Sequence, residues 1–119
     1  MCVQGKHALY RFCEEHGVSH ARVGKLIVAT DAAQLPALEA LRERARGNGV
    51  DDLEHLTPQQ VREIEPVVCC AGALLSPSTG IVDVHEYMLA LEGDAERHGA
   101  VVALATEFLG ASVHADGLR

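Results

Sequence analysis

The stretch Ala73–Phe108, ALLSPSTGIVDVHEYMLALEGDAERHGAVVALATEF, decides the fold of this chain. Its first residues are small and apolar and read as the end of a strand. Ser76-Pro77-Ser78-Thr79-Gly80 then turns the chain, with hydroxyls placed to bond nearby backbone. Asp83 and Glu86 have the spacing of a capping box, with Val82 and Tyr87 placed as its hydrophobic staple. Val84, Tyr87, Met88, Leu91 and Ala95 recur at helical spacing, and Gly99 follows His98 as a stop. Ala100–Leu109 is almost wholly apolar as far as Ala105, which predicts a buried strand of the parallel kind. Strand, loop, helix and strand in that order place the chain in a mixed α+β class.

Upstream, the same grammar recurs. Leu9, Phe12, Cys13 and His16 share one face of a helix predicted over about Cys2–His16, closed by Gly17. Nothing before Val3 caps it. Arg22–Thr30, RVGKLIVAT, reads as a strand, with Gly24 marking a bulge or a close approach to the backbone. Asp31 and Gln34 make a second capping-box candidate. Leu35, Leu38, Leu41 and Ala45 form the stripe of the helix that follows, and Pro36 delays its regular part to near Leu35. A short strand at Leu53–Leu56 leads to Thr57-Pro58-Gln59-Gln60, a cap, a first-turn proline and a box partner. Pro66 stops that helix. Val67–Leu75 reads as extended, interrupted around Cys69–Gly72, and GALLS is expected to share a sheet with RVGKLIVAT. At the far end Asp116-Gly117 signals a hairpin. An uncapped first helix and half a hairpin make the chain read as an internal piece of something larger. No internal repeat or low-complexity linker breaks it.

Composition narrows the function classes. At 119 residues the chain is at most one domain, 48% hydrophobic but only 3% aromatic, so Leu, Val, Ile and Ala must build its core. A net charge of −7 disfavours nucleic acid and anionic membranes as partners. No apolar run is long enough to span a bilayer, and the N-terminus lacks the pattern of a secretory signal. The cytoplasm is therefore the expected compartment, and the four cysteines are expected as free thiols.

Few residues ask for chemistry. Gly47-Asn48-Gly49 is the nearest approach to a dinucleotide turn, but it follows a helix, and Asp52 stands where the third glycine belongs. His16 and His20 are four apart, a metal spacing that Gly17 interrupts, so a solvated helix end is the competing reading. His16 and His98 both suit the negative end of a helix. Asp83 and Glu86 look like a catalytic carboxylate pair, yet the capping box accounts for both. Asp51 and Asp52 read as a solvated turn. Ser76, Ser78 and Thr79 lack the elbow of a serine nucleophile. Cys69 and Cys70, a possible redox pair, read as buried small hydrophobes. Lys25, in an apolar strand after Gly24, either faces an acidic substrate in a cleft or lies on the solvent side of a sheet.

KHALYRFCEEHGV, GKLIVAT, LPALEALRERARGNGV, LLSPSTGIVD and LEGDAERHGA together resemble the D-amino-acid oxidase superfamily of FAD-dependent oxidoreductases, in its L-2-hydroxyglutarate dehydrogenase/oxidase branch. The pairing of GKLIVAT with SPSTGIVD about fifty residues on is the most specific part of the likeness. The resemblance implies a Rossmann-type FAD domain interrupted by a substrate domain. It further implies oxidation of a small 2-hydroxy acid by hydride transfer to the flavin.

On that template, residues 1–82 resemble the helix entry and substrate-domain sheet, and 83–119 a helix and strand of the FAD domain. Thr106-Glu107-Phe108 matches the strand that passes beside adenine. Thr106 and Phe108 are thus the implied cofactor-binding positions, with Phe108 standing where the family has a smaller aliphatic residue. Lys25 is the substrate-proximal candidate. The glycine-rich FAD motif, the histidine-bearing segment and the closing FAD segment of the family have no counterpart here. The chain is thus expected to be inactive alone. The alternative reading is a non-catalytic α+β module that binds a partner or associates with itself through exposed edges.

Overall fold

The computed structural model describes residues 2–118. Helix α1 spans Cys2–His16, followed by strands β1 (His20–Ala21) and β2 (Lys25–Ala29). A 3-10 turn, Ala32–Gln34, leads into α2 (Leu35–Gly47), and β3 (Glu54–Leu56) and α3 (Pro58–Ile64) come next. Strands β4 (Gly72–Ser76) and β5 (Ile81–Val82), helix α4 (Val84–Arg97), and strands β6 (Val113–His114) and β7 (Gly117–Leu118) complete the order. The mixed α+β class is as the sequence indicates.

The centre of the molecule is β4. It pairs antiparallel with β2 on one side and β3 on the other, in a three-stranded sheet. Leu74 lies opposite Ile27 and His55 and is 0% exposed. Helix α2 lays Leu38 over this sheet, so that Ala29, Leu38 and Leu74 form the core, ringed by Ile27, Leu41 and Leu53. Burying Leu74 contributes about 1.5–3 kcal/mol relative to leaving it in water. Val61 of α3 is equally enclosed.

The predicted caps hold in different degrees. Thr57 and Gln60 form the full reciprocal box, Thr57 N donating to Gln60 Oε1 at 2.8 Å and Gln60 N to Thr57 Oγ1 at 3.3 Å. Asp31 accepts from Ala33 N at 2.8 Å, while Gln34 turns to Thr30 N instead of Asp31. Helix α2 begins at Leu35, with Pro36 in its first turn. The hairpin β6–β7 forms around Ala115-Asp116, with Gly117 at φ +133° opening the return strand.

The strand expected at Ala100–Leu109 does not form. Residues 100–112 form no helix or strand beyond a turn at Leu104–Ala105, where Ala105 takes φ +53°. Val101, Leu104, Phe108 and Leu109 are 87%, 83%, 80% and 89% exposed. A strand needs a neighbour for its ladder bonds, and none of the described strands pairs with this stretch. The apolar stripe of α4 is also uncovered, with Val84, Met88 and Leu91 exposed. The chain is accordingly long, 63 Å by 29 Å by 25 Å, with a radius of gyration of 21.3 Å. A compact chain of this length would have about 13–14 Å.

Candidate functional site

Lys6, Leu9, Tyr10 and Cys13 fall at helical spacing on α1 and look onto the SPSTG loop. Tyr10 is buried and donates from its hydroxyl to the Ser78 carbonyl at 3.0 Å. Lys6 Nζ donates to Ser78 Oγ at 2.6 Å and lies 3.8 Å from Asp52 Oδ2. The loop is held from within by Thr79 Oγ1 donating to Ser76 Oγ at 2.9 Å, and from behind by Gly24 N donating to the Thr79 carbonyl at 2.9 Å. Gly24 takes φ +73° and precedes β2, so the glycine serves this backbone turn and is no bulge within the strand. At Gly80 a Cβ would collide with the Tyr10 hydroxyl and the Ala21 carbonyl.

Behind the loop, β1 and β5 pair with His20 opposite Val82. Together with α1 they line a half-open cavity of about 280 Å³, with Leu9, Cys13, Ile81 and Val82 in its wall and Lys6, Tyr10, His20, Ser78 and Thr79 as its polar groups. His20 Nδ1 lies 2.8 Å from the Val18 carbonyl and must donate to it, which leaves Nε2 of the neutral ring as an acceptor. The Arg22 guanidinium sits 4.3 Å over the Tyr10 ring. The lining is mostly apolar, and Lys6, Tyr10 and Thr79 direct their donors to the loop itself; electron transfer draws on a cofactor. Burial, and then the charge of Glu14, push the Cys13 thiol up, so it is an inert wall residue.

Several sequence readings change here. Asp52 is half-buried against Lys6, and its Oδ1 has no hydrogen-bond partner; it does not belong to a solvated turn. Glu86 does not return to Asp83. Its carboxylate accepts from Ser19 N at 2.6 Å, while Asp83 N donates to the Ser19 carbonyl at 2.8 Å. The Asp83–Glu86 pair thus fixes α4 to the end of α1, and only the Asp83 half of the box, Glu86 N to Oδ1 at 3.0 Å, is present. Cys69 is exposed and Cys70 half-buried, so neither is a core residue. Nothing in the local pattern signals the partners of Ser19 or Asp52, because both contacts join positions far apart in sequence.

His16 and His20 look different ways. His20 lines the cavity, whereas His16 Nε2 lies 3.6 Å from Asp94 Oδ1 on α4. Among the described residues no three His, Cys, Asp or Glu side chains gather as a metal site. Asp94 also receives Arg97 Nη2 at 2.9 Å and has His98 Nδ1 at 3.7 Å. Desolvation alone would raise its carboxyl, but hydrogen bonds from Arg97 and His16 and the charges of His98 and Arg97 outweigh it and hold the group below its usual range. Phe12 stacks on His16 at 3.9 Å and meets Tyr87 edge-on at 5.4 Å, which completes the α1–α4 joint.

The implied site residues lie apart from the cavity. Lys25 is exposed at the start of β2, opposite Ser76, and borders a depression with Gly24, Leu26, Ile64, Glu65 and Val68. Thr106 is exposed and donates from Oγ1 to the Leu104 carbonyl at 3.1 Å. Phe108 is 80% exposed. Neither residue lines the depression or the α1 cavity.

The sequence and the fold match a known class. The sequence profile of the DAO family, FAD dependent oxidoreductase, covers residues 1–119, and the chain belongs to that family. Within it, the chain is similar to L-2-hydroxyglutarate dehydrogenases. It is 41% identical over 90 residues to the mitochondrial one of Arabidopsis thaliana, covering 76% of this chain and 19% of that protein. It is 36% identical over 110 residues to the mitochondrial one of Homo sapiens, covering 92% and 24%. The Escherichia coli relative is 32% identical over 117 residues, covering 98% and 28%. The chain thus spans about a quarter of the length of these relatives.

Among solved structures, L-proline dehydrogenase from P. horikoshii superposes with a TM-score of 0.80 at 22% identity, covering 97% of this chain and 34% of that one. Glycine oxidase from Geobacillus kaustophilus gives 0.74 at 23%, covering 98% and 33%. At those identities the likeness is one of fold.

FAD is the cofactor of the family, and the described residues do not build a cradle for its pyrophosphate. Their one Gly-x-Gly, Gly47-Asn48-Gly49, closes α2 instead of opening a helix after a strand.

Proposed function

We propose that this chain serves an enzyme that oxidises a small 2-hydroxy acid of the L-2-hydroxyglutarate type, passing hydride to FAD. The observation that carries this reading is the run of relatives named L-2-hydroxyglutarate dehydrogenase, 32–41% identical over 76–98% of the chain. Residues 1–82 belong to the substrate domain in this reading, and residues 83–119 to the FAD domain. Thr106 and Phe108 stand beside adenine, and Lys25 faces the substrate carboxylate. Its exposure at the open end of β2 suits that role. The chain does not hold FAD tightly or turn over alone. The proposed compartment is the cytoplasm, where the free thiols stay reduced.

The test is a chimaera in which this chain replaces the matching segment of the Escherichia coli relative. Flavin binding with dye reduction driven by L-2-hydroxyglutarate supports the reading. A folded, flavin-loaded chimaera that ignores this substrate while accepting another 2-hydroxy acid or an amine refutes the substrate class. In the active chimaera, Lys25→Met is expected to raise KM more than it lowers kcat. The chain by itself is expected to be colourless, and a yellow protein with a flavin spectrum overturns that part.

The uncovered apolar residues of α4 and 100–112 favour a second reading, a module that associates with itself. Sedimentation separates the two. A stable dimer that no flavoenzyme segment dissociates favours the module.

A further inference from the structure

Residues 65–71 join α3 to β4 and carry two adjacent free thiols, Cys69 exposed and Cys70 half-buried. The bonds that fix this segment fall on either side of the pair. Val68 N donates to the Glu65 carbonyl at 3.0 Å, and Ala71 N to the Ala29 carbonyl at 2.7 Å. The pair itself lies outside helix and strand, so its side chains can turn without breaking a ladder.

Neighbouring Cα atoms stand about 3.8 Å apart across a trans peptide, closer than the roughly 4.4 Å at which disulfide geometry begins. A direct S–S bond is therefore strained, whereas an atom inserted between the sulfurs relieves the crowding. Zinc asks for three or four protein ligands, and no third His, Cys, Asp or Glu joins the pair among the described residues. What remains is a soft centre satisfied by two thiolates.

We propose that Cys69 and Cys70 form a dithiol site for a soft trivalent metalloid, trivalent arsenic being the ligand type. With phenylarsine oxide the step balances without redox change. Two As–S bonds form, the As–O bond is lost, and the oxygen leaves with the two thiol protons as water. The remaining thiols do not compete. Cys13 is 1% exposed, and Cys2 is exposed but has no neighbouring thiol, so it offers one sulfur only.

The natively purified chain is treated with one equivalent of phenylarsine oxide and followed by intact mass and thiol titration. One adduct with two thiols consumed is expected, surviving excess 2-mercaptoethanol and released by dithiothreitol. Cys69→Ser and Cys70→Ser should each lower the affinity by about a hundredfold or more, since the second bond is intramolecular. Cys2→Ser should change nothing. An adduct on the native chain that the monothiol strips overturns the proposal. So does an adduct that keeps its affinity in Cys69→Ser or is lost in Cys2→Ser.

Discussion

Leu74 and Leu104 are the same residue type, thirty positions apart, and they meet opposite fates. Leu74 is 0% exposed and Leu104 is 83% exposed. Leu74 lies between two strand partners and beneath α2, whereas Leu104 lies in a stretch that no described strand joins. Apolar character states a demand for burial, and only a neighbour can meet it. The body, residues 2–82, supplies its own neighbours. The α4–β7 region touches the body at one end and leaves most of its apolar surface in water.

The sharpest way to break that comparison is a matched pair of truncations. Leu74→Ala should cost about 2–5 kcal/mol, the range for a buried leucine whose cavity cannot collapse fully. Leu104→Ala should stay within about 0.5 kcal/mol, as exposed substitutions do. Urea denaturation of both variants checks this. Equal losses would mean that residues 100–112 are covered in solution, and the contrast between the regions would fall.

A glycine pair comes next in size. Gly80→Ala drives a methyl into the Tyr10 hydroxyl and the Ala21 carbonyl, so about 1–3 kcal/mol should be lost. Gly93 lies within α4, and its nearest added contact would be Arg97 Nη1 at 3.7 Å. Gly93→Ala should therefore stabilise by about 0.5–1 kcal/mol through helix propensity. Opposite signs in thermal unfolding confirm a tight body and an open α4, and a loss at both positions contradicts it.

The two regions also differ in how much of them could be read from the sequence. Thr57-Pro58-Gln59-Gln60 was legible because a capping box is complete within four residues, and the structure forms it in full. RVGKLIVAT and GALLS were legible as sheet partners because both are short apolar runs between turn residues, and they pair as β2 and β4. The β1–β5 pairing, the Lys6–Asp52 contact and the Ser19–Glu86 bond were hidden, since each is set by tertiary approach. Ala100–Leu109 was misread for the converse reason. Its composition suits a buried strand, but composition carries no information on whether a partner strand adjoins it. The α1 cavity was missed as well, although Lys6, Leu9, Tyr10 and Cys13 at helical spacing opposite a hydroxyl-rich turn were its available signal.

Capping gives a smaller effect. Thr57→Ala should lose about 1 kcal/mol, because it strands the Gln60 amide that the threonine hydroxyl accepts. Glu86→Gln should spare the α4 cap, which Asp83 supplies, and weaken the tie to Ser19 N. Hydrogen exchange separates these outcomes. Faster exchange at Ser19 N in Glu86→Gln supports the tertiary role, and faster exchange at Asp83 N with Ser19 N unchanged restores the box.

The smallest expected effect tests the joint between the regions. Asp94 of α4 faces His16 of α1, together with Arg97 and His98 of its own helix. Its carboxyl is held below the ordinary value of 3.8, against desolvation, by hydrogen bonds from Arg97 and His16 and by the charges of His98 and Arg97. A carboxyl lowered in the folded state stabilises it fully above the unfolded value, and that stability is lost as pH falls through the folded value. The native chain should therefore show an acid loss that starts near pH 3.8 and continues below it. Asp94→Asn should flatten that limb and leave the shape of the curve above it to other groups. Because the side chain is more than a third exposed, salt should shrink the difference between the two proteins. If Asp94→Asn and the native chain lose stability in parallel from pH 5 to pH 2, the α1–α4 contact rests on Phe12, Tyr87 and the bonds of Asp83 and Glu86 to Ser19. Body and α4 would then be joined by packing and the two Ser19 hydrogen bonds, without the ion cluster.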